Sequence, residues 1–190
     1  MTDGGESDEA LISRYAGGDP VAFTLLYRRH EMRIWRYLQR NVENHAVADE
    51  LMQEVWFAVA RDAACYRPTA RFTTWLFAIA HNRLIDSVRG KRAHVSLDSI
   101  GHEAPCLWEQ FTTDATAEPL AAVLMRDQAA ALTQALRRLP HEQRDAFLLQ
   151  VEGELSVEEV ANVTGSSFET TKSRLRYARS RLRELLSEYA

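Results

Sequence analysis

Six polar side chains in one short stretch, Thr170, Lys172, Ser173, Arg174, Arg176 and Arg179, have the types and spacing of a nucleic-acid-binding helix face. Their cationic groups can neutralise phosphates, while residues near the start of such a helix reach base edges in a major groove. A second basic group, Arg83, Arg89, Lys91 and Arg92, lies near the middle of the chain. Catalysis has no comparable set. There is no glycine-rich phosphate loop, nucleophile elbow or informative Cys–His pair. His102 and Cys106 have ligand-like spacing but no further ligands beside them, so neither a metal, a cofactor nor an enzyme is expected. Cys65 and Cys106 read as free thiols of a reducing compartment.

Two short helices joined by a tight turn must present the C-terminal set. Ser156 and Glu159 match an S-x-x-E capping box, and Ser166 with Glu169 matches a second. Gly165 stands where a left-handed residue closes the first helix. Val157, Val160 and Ala161 are expected to face inward from the first helix, and Phe168 and Leu175 from the second, which makes a helix-turn-helix over about 156–183. Upstream, helical periodicity covers about 9–15, 19–40, 45–61, 72–89, 127–139 and 141–152, with Asp19-Pro20 a strong start signal and Gly90 a stop. Phe72, Trp75, Leu76 and Ile79 make one apolar stripe, so Trp75 is read as core.

The 190 residues suit two small domains better than one large one, and no strand alternation is visible. The expected fold is therefore all-α: two small helical domains joined by an extended acidic linker. The divisions are a tail over 1–7, a domain over 8–94, a linker over 95–126 and a second domain over 127–190. A net charge of −4 opposes DNA binding by the chain as a whole, but the bases are gathered in two stripes while acids cluster elsewhere. The acidic faces can meet a basic partner. No run is long and apolar enough to cross a membrane, and the acidic start is unlike a signal peptide, so a cytoplasmic location without membrane insertion is expected.

Two stretches, ADELMQEVWFAVARDAACYRPTARFTTWLFAIAHNRLIDSVRGKR at 48–92 and LRRLPHEQRDAFLLQVEGELSVEEVANVTGSSFETTKSRLRYARSRL near the C-terminus, resemble one family. It is the bacterial sigma factors of the extracytoplasmic-function type. The first stretch is similar to the family's D-x-x-Q-E-x-F and T-W-L-x-x-I-A-x-N-x-x-x-D pattern, the second to its S-x-x-E-I-A and T-V-K-S-R-L helices. With the linker, the resemblance covers nearly the whole chain.

The resemblance implies a protein that binds core RNA polymerase, at the largest-subunit coiled coil and the flap region, and directs it to promoters. Glu50, Gln53 and Glu54 match the family's docking positions. Glu50 and Glu54 share a helix face, where like charges cost a few tenths of a kcal/mol until a basic partner arrives. Asn82 matches a position lining a pocket for a flipped base of the −10 element, and its amide offers both donor and acceptor. Residues 66–71, with Tyr66, Arg67 and Arg71, match the loop beside that pocket, and Arg83, Arg89, Lys91 and Arg92 are placed to hold the strand's phosphates. His81 is read as a surface or phosphate contact. The linker acids Asp98, Glu103, Glu109, Asp114 and Glu118 suit either RNA mimicry or a plain tether. An anti-sigma partner and no further C-terminal domain are also expected.

Thr171 stands where the family usually has a core valine, and Ser166 where an aliphatic is common; Phe168 is expected to fill the gap. The rival reading is a conventional helix-turn-helix activator or repressor, which would footprint DNA without polymerase.

Overall fold

The computed structural model describes the backbone of residues 5–93 and 119–187, and the side chains of 5–89 and 128–187. Among the described residues there are eight α-helices and no strand. The first, α1 (Asp8–Ala16), is capped by Ser7, whose hydroxyl accepts from Ala10 N at 3.2 Å, while Glu6 pairs with Arg14. The end of the expected loose tail is thus tied down. Gly18, at φ 100°, takes the left-handed turn that sends the chain into α2 (Pro20–Asn41). There the expected start holds: Asp19 accepts from Val21 N and Pro20 opens the helix.

Asn44 caps α3 (His45–Asp62), which ends in a short 3-10 turn, Ala63–Cys65. After a loop, α4 (Phe72–Ala93) runs through Gly90 instead of stopping there. One glycine within a helix costs only about 1 kcal/mol relative to alanine, too little to end a helix by itself. A second correction concerns the linker. α5 (Pro119–Arg137) begins at Pro119, not Asp127, because proline suits the first helical position and the residues after it, Leu120 to Arg126, are largely good helix formers. The linker acids Asp98, Glu103, Glu109, Asp114 and Glu118 lie outside the described residues, as do His102 and Cys106.

The last three helices are α6 (His141–Glu152), α7 (Val157–Thr164) and α8 (Phe168–Leu185). Buried side chains form one cluster through both halves of the chain, from Leu11, Ile34 and Phe72 to Leu148, Leu155 and Leu175. The halves meet where α2 packs on α6 and α4 on α7. Gly153 lies at this junction: a Cβ there would stand 2.5 Å from the Leu149 carbonyl and 3.2 Å from the Phe77 ring. Any side chain would push the two halves apart or distort the end of α6.

Polar groups complete the contact. The Tyr37 hydroxyl donates to Asp145 Oδ1 at 2.6 Å, and His81 Nδ1 stands 3.1 Å from Asp145 Oδ2, off the line of a hydrogen bond. Burial, with the Asp145 charge beside it, pushes the Tyr37 phenol well above its ordinary range. Glu152, buried, receives Arg36 Nε at 2.9 Å and also Arg40, while Arg33 Nε donates to its main-chain carbonyl at 2.7 Å. Breaking such a buried pair from one side typically costs about 3–5 kcal/mol, because the remaining charge stays buried without a partner.

Candidate nucleic-acid and polymerase interfaces

Three surfaces carry the expected site residues. On α3, Glu50, Gln53 and Glu54 are all exposed, since Leu51, Met52 and Val55 take the inward face. Phe57, one turn beyond Gln53, is 74% exposed. It borders an apolar groove of about 330 Å3 lined by Phe23, Tyr27, Met52, Gln53, Trp56 and Ala60. The groove is built from aromatic contacts, with Phe23 edge-on to Trp56 at 5.7 Å and Tyr27 tilted on it at 4.9 Å. The Trp56 indole N–H has no acceptor among the described residues. The acidic and amide stripe thus lies beside an apolar groove. Phe57 and its groove were missed from sequence; an exposed aromatic at i+4 from Gln53 was the available signal.

The second surface is the loop and α4. Tyr66 is placed inside the loop rather than on its outer side: it is buried, donates to Ala70 O at 2.7 Å and packs on Phe72 and Trp75. Trp75 packs partly buried against the core, in keeping with the role read from its stripe. Arg67 and Arg71 are exposed, and Asn82 is exposed on α4, roughly 15 Å along the helix from its start at 1.5 Å per residue. His81 is only 8% exposed, so the expected surface role is corrected; it faces Asp145 of α6 across the junction. Arg83 borders a cleft with Glu54, Asp86 and Ser87 between α3 and α4, while Arg89 is exposed. The side chains of Lys91 and Arg92 lie outside the described residues.

Arg71 is engaged. Its guanidinium reaches Glu159 Oε2 at 3.0 Å and the Glu154 carbonyl at 2.8 Å, and Thr74 donates to the same Glu159 carboxylate at 2.6 Å. Glu159 also accepts from Ser156 N at 2.8 Å, the reciprocal half of the predicted capping box. Partial burial would raise its pKa, but these bonds outweigh that and lower it to about 2.

The third surface is α8. Gly165 adopts φ 62° as the expected left-handed cap of α7. The second capping box is absent: Ser167, not Ser166, caps α8 and accepts from Thr170 N. Ser166 is used otherwise. Its hydroxyl lies 2.9 Å from Thr164 Oγ1 and 2.7 Å from Thr171 Oγ1, and Thr171 is fully buried. A chain of hydroxyls therefore occupies the aliphatic positions at the turn. Phe168 does not fill that gap; it is 44% exposed, because its place at the first residue of α8 turns it outward, where Lys172 lies over its ring. Thr170, Lys172, Arg176 and Arg179 are exposed, and Ser173 and Arg174 half-buried, so α8 brings this expected set together. Arg179 bonds Gln150, and Arg176 stacks on Tyr177 at 4.9 Å.

Among the described residues no group of His, Cys, Asp and Glu could hold a metal ion, and no helix is long and apolar enough to cross a membrane. Cys65 is exposed and free.

Two family models match the chain. Sigma-70 region 2 covers residues 26–94, and Sigma-70, region 4 covers 129–182. The chain is 31% identical over 180 residues to the ECF RNA polymerase sigma factor SigM of Mycobacterium tuberculosis, covering 95% of this chain and 85% of that protein. It is 34% identical to the RNA polymerase sigma factor CarQ of Myxococcus xanthus, covering 93% and 96% respectively. Two solved structures share the fold. CnrH in complex with the cytosolic domain of CnrY matches with a TM-score of 0.68 and 22% identity, over 97% of this chain and 100% of that one. The sigma factor RpoE in complex with the anti-sigma factor NepR from Bartonella quintana matches at 0.65 and 21%, over 87% and 96%.

Proposed function

The chain belongs to the ECF RNA polymerase sigma factors, and from that premise we propose how its surfaces divide the work of promoter-directed initiation. As a sigma factor it binds core RNA polymerase and directs transcription from promoters. Nothing in its relatives points to a conventional repressor. Glu50, Gln53 and Glu54 dock on the polymerase's largest-subunit coiled coil, with Phe57 and the groove beside it receiving an apolar side chain of the partner. The second half, from α5 onward, also meets the flap region and reads the −35 duplex through Thr170, Lys172, Ser173, Arg174, Arg176 and Arg179. The first, over 8–94, opens and reads the −10 element.

At the −10 element Asn82 reads an unpaired base, and Arg67, Arg71, Arg83, Arg89, Lys91 and Arg92 hold phosphates. Tyr66 serves from within, propping the loop through Ala70. An anti-sigma factor regulates the chain, which works in the cytoplasm where polymerase and promoters meet. This reading is carried by the simultaneous exposure of the acidic stripe on α3 and the basic face on α8, each suited to a different partner.

Run-off transcription with purified core polymerase on a promoter library tests it. The wild-type chain yields transcripts from a subset sharing two elements, and Asn82→Ala lowers open-complex formation or changes preference at one −10 base. Wild-type output from the variant across the library rejects the base-reading role. Glu50→Lys with Glu54→Lys places like charges against the partner's basic surface, and a cost of several kcal/mol predicts association about 100-fold weaker. Unchanged co-purification with core polymerase removes the docking assignment.

A further inference from the structure

Consecutive residues at the start of α1 engage three different helices. Ser7 caps α1 itself. Asp8 pairs with Arg29 of α2 and lies 2.7 Å from Nε2 of His30, a buried residue of the same helix. Glu9, partly buried, turns to α4 instead, and its Oε1 accepts from the main-chain N–H of Phe72 at 3.0 Å. Leu11 and Ile12, both fully buried, fasten α1 to the core.

The bond falls where α4 lacks a cap of its own. The first N–H groups of a helix have no partner within it, and Arg71, the residue before α4, carries a side chain of donors only. The first main-chain bond of α4 runs from Trp75 N to Arg71 O at 3.2 Å. A carboxylate from α1 therefore serves the positive end of α4. Phe72 is also the joint between helix and loop: its buried ring lies edge-on to Tyr66 at 6.2 Å and 5.5 Å from the His30 ring. Burial, with the Glu9 and Asp8 charges beside it, pushes the Tyr66 phenol up, in keeping with both acids lying close to the loop.

On the reading that residues 66–71 and Asn82 meet the −10 element, we propose that Glu9 is a positioning residue for −10 recognition. Its carboxylate pins the joint at Phe72 and so fixes the loop, with Arg67 and Arg71, relative to Asn82 further along the same helix. Glu9 touches no DNA in this role. A recognition set has to be held to about 0.5 Å, so a joint free to slip loses discrimination between bases before it loses the fold.

Two conservative substitutions in the full chain separate reach from charge. Glu9→Gln keeps an acceptor at the same distance and loses the charge; Glu9→Asp keeps the charge and the acidic first turn of α1 but falls one methylene short of the amide. Hydrogen exchange should find the Phe72 amide about tenfold less protected in Glu9→Asp, the factor for one lost hydrogen bond, and close to wild type in Glu9→Gln. With core polymerase, transcription from a library randomised at −10 should show the preference for the best base over the next lowered about threefold or more in Glu9→Asp. Glu9→Gln should largely keep that preference, and neither variant should alter preference at −35. Arg14→Ala frees α1 from Glu6 and Asp19 without touching α4, and should leave both preferences unchanged.

Wild-type −10 preference or unchanged Phe72 protection in Glu9→Asp overturns the proposal. Equal loss of preference in Glu9→Asp and Glu9→Gln does so too, by making charge and not the bond responsible. Equal loss in Arg14→Ala would reduce α1 to a structural support. If Glu9→Asp fails to fold, Glu9→Ala takes its place, since alanine removes the acceptor and favours the helix. Asn82→Ala tests the underlying reading separately: altered preference there with none in Glu9→Asp removes only the role of Glu9.

Discussion

Arg174 and Arg71 are both candidate DNA contacts, yet their surroundings differ in kind. Arg174 sits half-buried on α8 with no carboxylate partner among the described residues, whereas Arg71 is bonded to a carboxylate and a carbonyl of the opposite half. The first surface is open to phosphate; at the second a carboxylate and a carbonyl already hold the guanidinium. A motif can name the residues that meet DNA, but only their neighbours determine whether they are available. The chain's −4 net charge takes on meaning here, because part of its acid is spent covering its own bases.

The contrast can be broken most directly at the open surface. Arg174→Ala with Arg176→Ala is expected to lower −35-dependent transcription at least about 30-fold, at 1–3 kcal/mol per contact, with the slope of log affinity against log salt falling by about 2. Equal activity at all salt concentrations would place the −35 contacts elsewhere. At the covered surface, Arg71→Ala should release Glu159. Burial and these bonds together place its carboxyl at about 2 against an ordinary 4.5, so the stabilisation it gives the folded chain is complete above about 4.5 and is lost as pH falls toward 2. Carboxyl NMR titration should find the value raised toward 4.5 in the variant. A value still near 2 would mean that the helix cap and Thr74 hold the charge without Arg71. The smallest effect concerns the turn: Thr171→Val removes one link of the hydroxyl chain and should cost about 1 kcal/mol by urea denaturation. No loss would make the chain of hydroxyls incidental to how α8 is held.

Local chemistry was legible in the sequence. Asp19-Pro20, the Ser156–Glu159 box and Gly165 each act within a few residues, and each is found as read. Errors arose where two local solutions competed. Ser166 and Ser167 can both cap α8, and the choice went to Ser167 because Ser166 is bonded to Thr164 and Thr171. Pro119 can end a segment or begin a helix, and the helix formers after it favour beginning one. The contact between halves was not legible at all. Tyr37 and Asp145, or Arg36 and Glu152, are separated by more than a hundred residues and leave no periodic trace. Gly153 reads from sequence only as a helix stop, and its need for close approach to Phe77 emerges from tertiary packing. His81 was misplaced for the same reason: its partner belongs to a helix far along the chain.

Glu159 belongs to two structures at once, the first turn of α7 and the seam between halves. Even without Arg71 and Thr74, Ser156 N would still donate to it and the Ser156 hydroxyl would still receive the Glu159 amide, so the leading edge of the helix-turn-helix is held from within. The cap of α7 therefore does not depend on the seam. One carboxylate thus serves as a local fastening for a helix and as a long-range clasp, and a change at position 159 would be felt in both.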